Sequence, residues 1–310
     1  LSKSLRKFEQ VNNGEYYSSL QDKTHDVSIV LMYKLSEKWA LSSSWIYITG
    51  QPATFPSGKY TVEGVQIPYY TERNGYRFAV IDCDRGMEEV QNIDPRTHNN
   101  LDSKYAAYYY PWVYINDPNG VRRKVPPGGF ICGVYARSDN TRGVWKAPAN
   151  EILSGVIDLE YDIDNGMQDV LNPRGVNCIR RFPGRGIRVW GARTLSSDPM
   201  WKYINVRRLF IFIERSIDEA TQWVVFEPNN ERLWARVQQT LTLFLRTQWR
   251  AGALLGSSEE EAFSVNVGYD TMTEDDLLNG RLIVEVGIAP VRPAEFVIFR
   301  VFQKTQESNG

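Results

Sequence analysis

The sequence predicts an α/β (α+β) fold, a mixed sheet with flanking helices, preceded by an antiparallel β-hairpin segment. Three observations carry this expectation. Short apolar runs of strand length, such as Phe78–Asp82 and Val176–Phe182, alternate with longer segments of helical period. The stretch Phe182–Trp201, FPGRGIRVWGARTLSSDPMW, opens on a Pro-Gly turn, alternates through Ile187, Val189 and Gly191, and breaks at Ser-Ser-Asp-Pro ahead of two long amphipathic segments. It sets Trp190 between Arg188 and Arg193 and reads as a strand in the middle of a buried sheet. The first quarter, by contrast, shows only period-two patterning. These features divide the chain into a hairpin segment, 1–76, and an α/β region, 77–310.

Composition narrows the function. The 310 residues are 42% hydrophobic and 13% aromatic, enough for a sizeable core. With 36 Lys+Arg against 37 Asp+Glu the formal charge is −1, so no overall field draws the chain to nucleic acid or an anionic membrane. Cys83, Cys132 and Cys178 are far apart and form no CxxC, which fits a reducing compartment. His25 and His98 are the only histidines, and neither sits beside a cysteine or a GxSxG turn. No apolar run approaches the roughly 20 residues of a membrane helix. The chain opens on Leu1, without methionine or signal peptide, and so reads as a fragment.

In chain order, Val27–Tyr33 and Trp39–Ile48 alternate around the turn Ser36-Glu37-Lys38 as a hairpin with aromatic ends. Phe78–Asp82 is a buried strand, and 87–101 a polar loop. Tyr105, Tyr108, Tyr109, Tyr110 and Trp112 crowd before the next strand; such a cluster is a binding surface or, more often, core with a wet rim. Pro126-Pro127-Gly128-Gly129 opens a short helix through Tyr135, but no Lys-Ser/Thr follows in the register of a phosphate loop. Gly143–Glu151 reads as a turn into another helix. Asp158, Glu160, Asp162 and Asp164 alternate, either as a solvated edge or as a calcium site whose EF-hand register fails after Gly166. Asn172–Gly175 is a turn and Val176–Phe182 a strand.

Val206, Leu209, Phe210, Ile213 and Ile217 mark a helix that turns Arg207, Arg208, Glu214 and Arg215 outward. Trp223–Phe226 reads as a buried strand. Leu233, Trp234, Val237, Leu241, Phe244, Leu245 and Trp249 stripe a second long helix, with Gly252 as its C-terminal glycine. Its basic residues are Arg232, Arg236, Arg246 and Arg250; they lack the interleaved exposed aromatics of a nucleic-acid surface. Strands follow at Phe263–Val267, Arg281–Ile288 and Glu295–Phe302, with a helical turn from Thr273 to Gly280. A terminal apolar strand can pair with its own sheet or with a neighbour's edge. The carboxylates Asp158, Asp162 and Glu227 have no convergent partner set, so no enzyme, cofactor or small-molecule substrate is expected.

The phrases SKYAAYYYPW, GVWKAPAN, LNPRGVN, FPGRGIRVWGARTLSSDP, YINVRRLF, TQWVVFEPN, LWARV and GIAPVRPAEFVIFR, spread over about residues 77–301, resemble the C-terminal half of contractile tail sheath proteins of phages and injection systems. The resemblance implies a structural subunit that polymerises around an inner tail tube, meets a baseplate, assembles in the cytoplasm and ends in the virion or injection particle. It also implies linkage by extended terminal segments, here Glu295, Phe296, Val297, Ile298, Phe299, Arg300 and Val301, with truncation after Pro293 abolishing self-association. The arginine-bearing helix is the candidate tube-facing element. MYKLSEKWALSSSWIYITGQPATFPSGKY and YYTERNGYR, within residues 1–77, instead resemble late strands of TonB-dependent outer-membrane receptors, which makes a receptor fragment the alternative function. A sequence-assembly chimera joined near Asn74–Arg77 explains the two resemblances more simply than a natural fusion. Sheath proteins carry an N-terminal arm and further domains in place of this segment, so the chain is expected to polymerise poorly.

Overall fold

The computed structural model describes residues 75–298, apart from residues 85, 98, 99 and 118, together with the backbone of short strands upstream. Among the latter, Ser28–Ser36 and Trp39–Ile46 pair antiparallel, as the alternation predicts. The rest of the receptor-like segment is described only at the short strands Leu5–Lys7, Tyr16–Ser18, Pro52–Thr54, Thr61–Val62 and Val65–Gln66 and at residues 75–77.

The centre is a mixed sheet. Strands β1 (Phe78–Asp82) and β2 (Ala106–Tyr110) are buried at every residue, as expected of parallel strands covered on both faces. They run parallel to each other and to β6 (Val176–Phe182). The order is β7 (Gly186–Trp190), β6, β2, β1 and then the short strand Pro52–Thr54. β7 is antiparallel to β6 and lies at the sheet's edge, not in its middle. The Pro183-Gly184 turn makes it the return arm of a hairpin, and among the described residues its outer side is met only by a short antiparallel bridge, Ile152 to Arg188, from the loop 150–153. Beyond the sheet edge, β3 (Val113–Asn116) pairs antiparallel with both β4 (Arg122–Val125) and β5 (Val156–Leu159) to form a separate small sheet.

Alternating residues fill two cores. Phe78, Val80, Ala107, Tyr109, Ile179 and Val189 face α1 (Gly128–Arg142), meeting Ile131, Cys132 and Tyr135. Ala79, Ile81, Tyr108, Tyr110, Val176 and Cys178 face the other way, toward Ile93, Leu101 and Leu171 at the end of α2 (Asn165–Leu171). The tyrosine cluster is therefore core, with Tyr109 and Tyr135 sharing a buried 2.7 Å hydroxyl–hydroxyl hydrogen bond. α1 runs past Tyr135 to Arg142, further than the sequence suggested, and its start is tied to the sheet: Asp82, at the end of β1, accepts the Gly128 N–H at 2.6 Å. Burial raises the Asp82 carboxyl to about 7, though the Gly128 N–H opposes the rise. α1 ends where Gly143 takes φ +102°, with the Trp145 ring 2.4 Å from the point a Cβ would occupy. No helix follows in 144–155, where Pro148 and the Asn150 turn (φ +58°) interrupt the backbone.

The remaining elements form a third core: α3 (Ile204–Ala220), α4 (Glu231–Arg250), α5 (Glu259–Ala262), β8 (Phe263–Val267), α6 (Glu274–Leu278) and β9 (Val284–Ile288). β8 and β9 form a two-stranded antiparallel sheet against α4. Two expectations fail here. Trp223–Phe226 is not a strand: Gln222–Val224 prolong α3 as a 3-10 turn, and Phe226, at φ +70°, is fully exposed before Glu227-Pro228. Nor do Arg207 and Arg208 point outward; they are 2% and 0% exposed. α3 lies between the central core and the third core, so its polar face is covered too. Arg208 donates to both carboxylate oxygens of Asp139 on α1 at 3.0 and 2.5 Å and lies 4.5 Å from the Tyr135 ring. Arg207 binds Glu214 and stacks near Tyr105 and Trp201. No helix among the described residues is long and apolar enough to cross a membrane.

Candidate assembly surfaces

The carboxylates singled out in the sequence are spent on local pairs. Asp158 holds Arg122 and Arg181, Glu160 holds Lys124 at 2.7 Å, and Asp162 reaches Arg181 at 3.4 Å. Asp164 caps α2 by accepting the Met167 N–H, and Glu227 is exposed in the loop before α4. Among the described residues no group of His, Cys, Asp or Glu is placed to hold a metal. His25 and His98 lie outside them.

α4 starts at a cap, Asn230 accepting the Leu233 N–H, and buries Leu233, Trp234, Val237, Leu241 and Leu245. Arg232, Arg236, Arg246 and Arg250 recur at helical spacing on the opposite side, with half-exposed Leu243 among them. The four are not equivalent. Arg236 lies 4.1 Å over the Trp223 ring, and Arg246 makes a two-pronged pair with Glu259 at 2.5 and 2.8 Å. Arg232 and Arg250, at the two ends, are exposed. The row is a set of delocalised cations, two of them already engaged, with exposed Leu243 among them.

The terminal segment changes character at one residue. Residues 291–298 form no strand. The Glu295 carboxylate accepts from Arg193 Nε and Nη2 (2.7 and 2.8 Å), Asn172 Nδ2 (2.9 Å) and Tyr203 Oη (3.0 Å), with Lys202 Nζ at 3.5 Å. Burial alone would raise this carboxyl, but the hydrogen bonds from Arg193 and Asn172 outweigh it and hold the group at about 2. Immediately after, Phe296, Val297 and Ile298 are 69%, 69% and 81% exposed. Phe299, Arg300 and Val301 lie outside the described residues. Sequence reading placed Glu295 in the linking segment with the residues that follow it; its anchor, Arg193, lies about a hundred positions away and leaves no local signal.

Comparison with known proteins decides the family. The phage tail sheath protein central domain matches residues 67–195, and the phage tail sheath C-terminal domain matches residues 196–304. The chain belongs to the phage tail sheath family. It is 41% identical to a chain of the anti-feeding prophage baseplate, covering 77% of this chain and 63% of that one with a TM-score of 0.69. A chain of the PVC extracellular contractile injection system sheath complex, in the contracted state, is 40% identical over 73% of this sheath-family chain and 64% of that one, TM-score 0.69. The tail sheath protein of Enterobacteria phage T4 is 34% identical over 137 residues, 42% of this chain and 21% of that protein. The chain spans about half (52%) of a related prophage tail sheath protein of Pseudomonas aeruginosa and 22% of the Vibrio phage KVP40 sheath. Membership in this family points to a structural subunit rather than an enzyme, and the relatives belong to phage tails and injection-system particles. The outer-membrane receptor alternative finds no support in these matches.

Proposed function

We propose that this chain is a structural subunit of a contractile tail sheath, polymerising helically around an inner tube and contracting to drive it through a target envelope. The supporting observation is that one chain carries both an exposed apolar terminal run and, among the described residues, a sheet of only two strands, which we read as donor and acceptor. The donor is the exposed apolar run from Phe296. The acceptor is the two-stranded sheet β8–β9, whose inward face, Val265, Val284, Val286 and Ile288, packs on the third core. A two-stranded sheet gains from added strands, and ladder bonds to a neighbour supply them.

Donor and acceptor are different segments, so a head-to-tail contact between them that fails to close into a ring propagates as a helix. Bodies can then turn as rigid units while the tethers keep neighbours at high effective concentration. The extended lattice acts as a kinetic trap above the contracted one, which requires neither cofactor nor small-molecule substrate. Arg232, Arg236, Arg246 and Arg250 supply the surface toward the inner tube protein, the baseplate caps the polymer, and assembly precedes incorporation into the particle, in the cytoplasm.

Sedimentation velocity tests the reading. The intact chain should show concentration-dependent association that is lost when the chain is cut after Glu295, with the melting temperature unchanged. Equal association by the two forms would refute strand donation.

A further inference from the structure

The terminal segment is held at more than one point before it becomes exposed. Asn205, at the start of α3, donates from one side-chain amide to the carbonyls of Trp145 (2.8 Å) and Val291 (3.0 Å). The Val291 N–H reaches the Ala253 carbonyl at 3.3 Å. Four residues later Glu295 takes its donors from Asn172, Arg193, Lys202 and Tyr203. Between the two clamps lies Arg292-Pro293-Ala294, where proline fixes one backbone dihedral. This strut forms one wall of a cleft of about 390 Å³ whose other wall is Trp145, Lys146, Ala147 and Asn150.

We propose that Glu295 is a positioning residue: it pins the root of the terminal segment to the body, so that the segment pivots after residue 295 and the strut before it moves with the body. Resting on the reading of 296–301 as the donated segment, this places the hinge of the inter-subunit link at a single peptide. The pin joins the two matched regions, since Asn172 and Arg193 fall in the central one and Lys202, Tyr203 and Glu295 in the C-terminal one. Glu295 is also what balances Arg193, which is 8% exposed and close enough to half-buried Arg96 for the two cations to repel. Removing the carboxylate therefore leaves unfavourable charge at the root rather than a neutral gap.

The test uses spin labels on dilute, unassembled subunits of the full chain, with one label on the strut at exposed Ala294→Cys and a reference at Gln239→Cys. Cys83, Cys132 and Cys178 are buried and stay unlabelled. Double electron–electron resonance should give a narrow distance distribution with Glu295 present. Glu295→Gln and Glu295→Ala should broaden it by about twofold or more, with Glu295→Asp intermediate, while the body's melting stays cooperative. A width unchanged in Glu295→Ala overturns the assignment, as does broadening that accompanies loss of cooperative melting. The readout is independent of polymerisation, so a chain that never assembles would refute strand donation without touching the pin.

Discussion

α3 and α4 are nearly the same helix on paper and opposite helices in the fold. Each carries an apolar stripe at i, i+3 and i+4 with arginines between. In α4 the arginines stay outside, stacked on Trp223 or paired across the surface with Glu259. In α3, Arg207 and Arg208 are buried, because α1 brings Asp139 and Tyr135 to one and Tyr105 and Trp201 flank the other. An amphipathic period identifies the face that must be covered. It says nothing of whether the other face will be covered as well, which depends on what distant segments offer in carboxylates and rings.

The sharpest way to break this comparison is Arg208→Ala. Leaving Asp139 charged and unpaired should cost about 3–5 kcal/mol in urea unfolding, against no change in the midpoint for Arg250→Ala. If the two variants unfold alike, α3 is not sealed as described. A second test concerns a buried charge that is opposed rather than supported. Asp82 is held at about 7, above its ordinary 3.8, so the fold favours its protonated form. Stability from this group is complete below pH 4 and declines as the pH rises to about 7. Thermal melts should therefore show a decline of a few kcal/mol over that range which Asp82→Asn abolishes; a variant with the same slope would discount it. Smaller again is Arg236→Ala, whose loss of the Trp223 contact should cost about 0.5–1 kcal/mol by denaturant titration. Smallest in stability, Arg232→Glu with Arg250→Glu should leave the melting temperature unchanged yet weaken binding to a cognate tube protein in a pull-down. Undiminished capture would move the tube-facing surface elsewhere.

Much of the fold was legible because it is written locally. Phe78–Asp82 and Val176–Phe182 are strands as read, α3 and α4 fall where their stripes run, and Gly252 at φ +87° follows α4 as a C-terminal glycine should. What escaped was set by distant partners. The anchoring of the first turn of α1 depends on Asp82, the burial of Arg208 on Asp139, and the edge position of β7 on its outer side meeting only the Ile152 bridge among the described residues. Trp223–Phe226 misled because a short apolar run reads equally as strand or as the fraying end of a helix. At the candidate surfaces, the arginine row and the exposed terminal run were visible, whereas the change in role between Glu295 and Phe296 was not. That change is made by Arg193, Asn172 and Tyr203 converging from three separate turns.

One property of the β8–β9 hairpin reaches beyond assembly. Uncapped strands accept any extended peptide, including the wrong one, and crowded subunits on a growing lattice are surrounded by wrong ones. β9 carries exposed Glu285 as its second residue, opposite Asn266, with Gly287 two residues on. Two such hairpins stacked in register would oppose carboxylate to carboxylate, a pairing that like charges penalise. If the sheet takes a neighbour's strand as proposed, this charge guards the edge against its own duplicate while leaving it receptive to a strand of different sequence, away from fibrous aggregation.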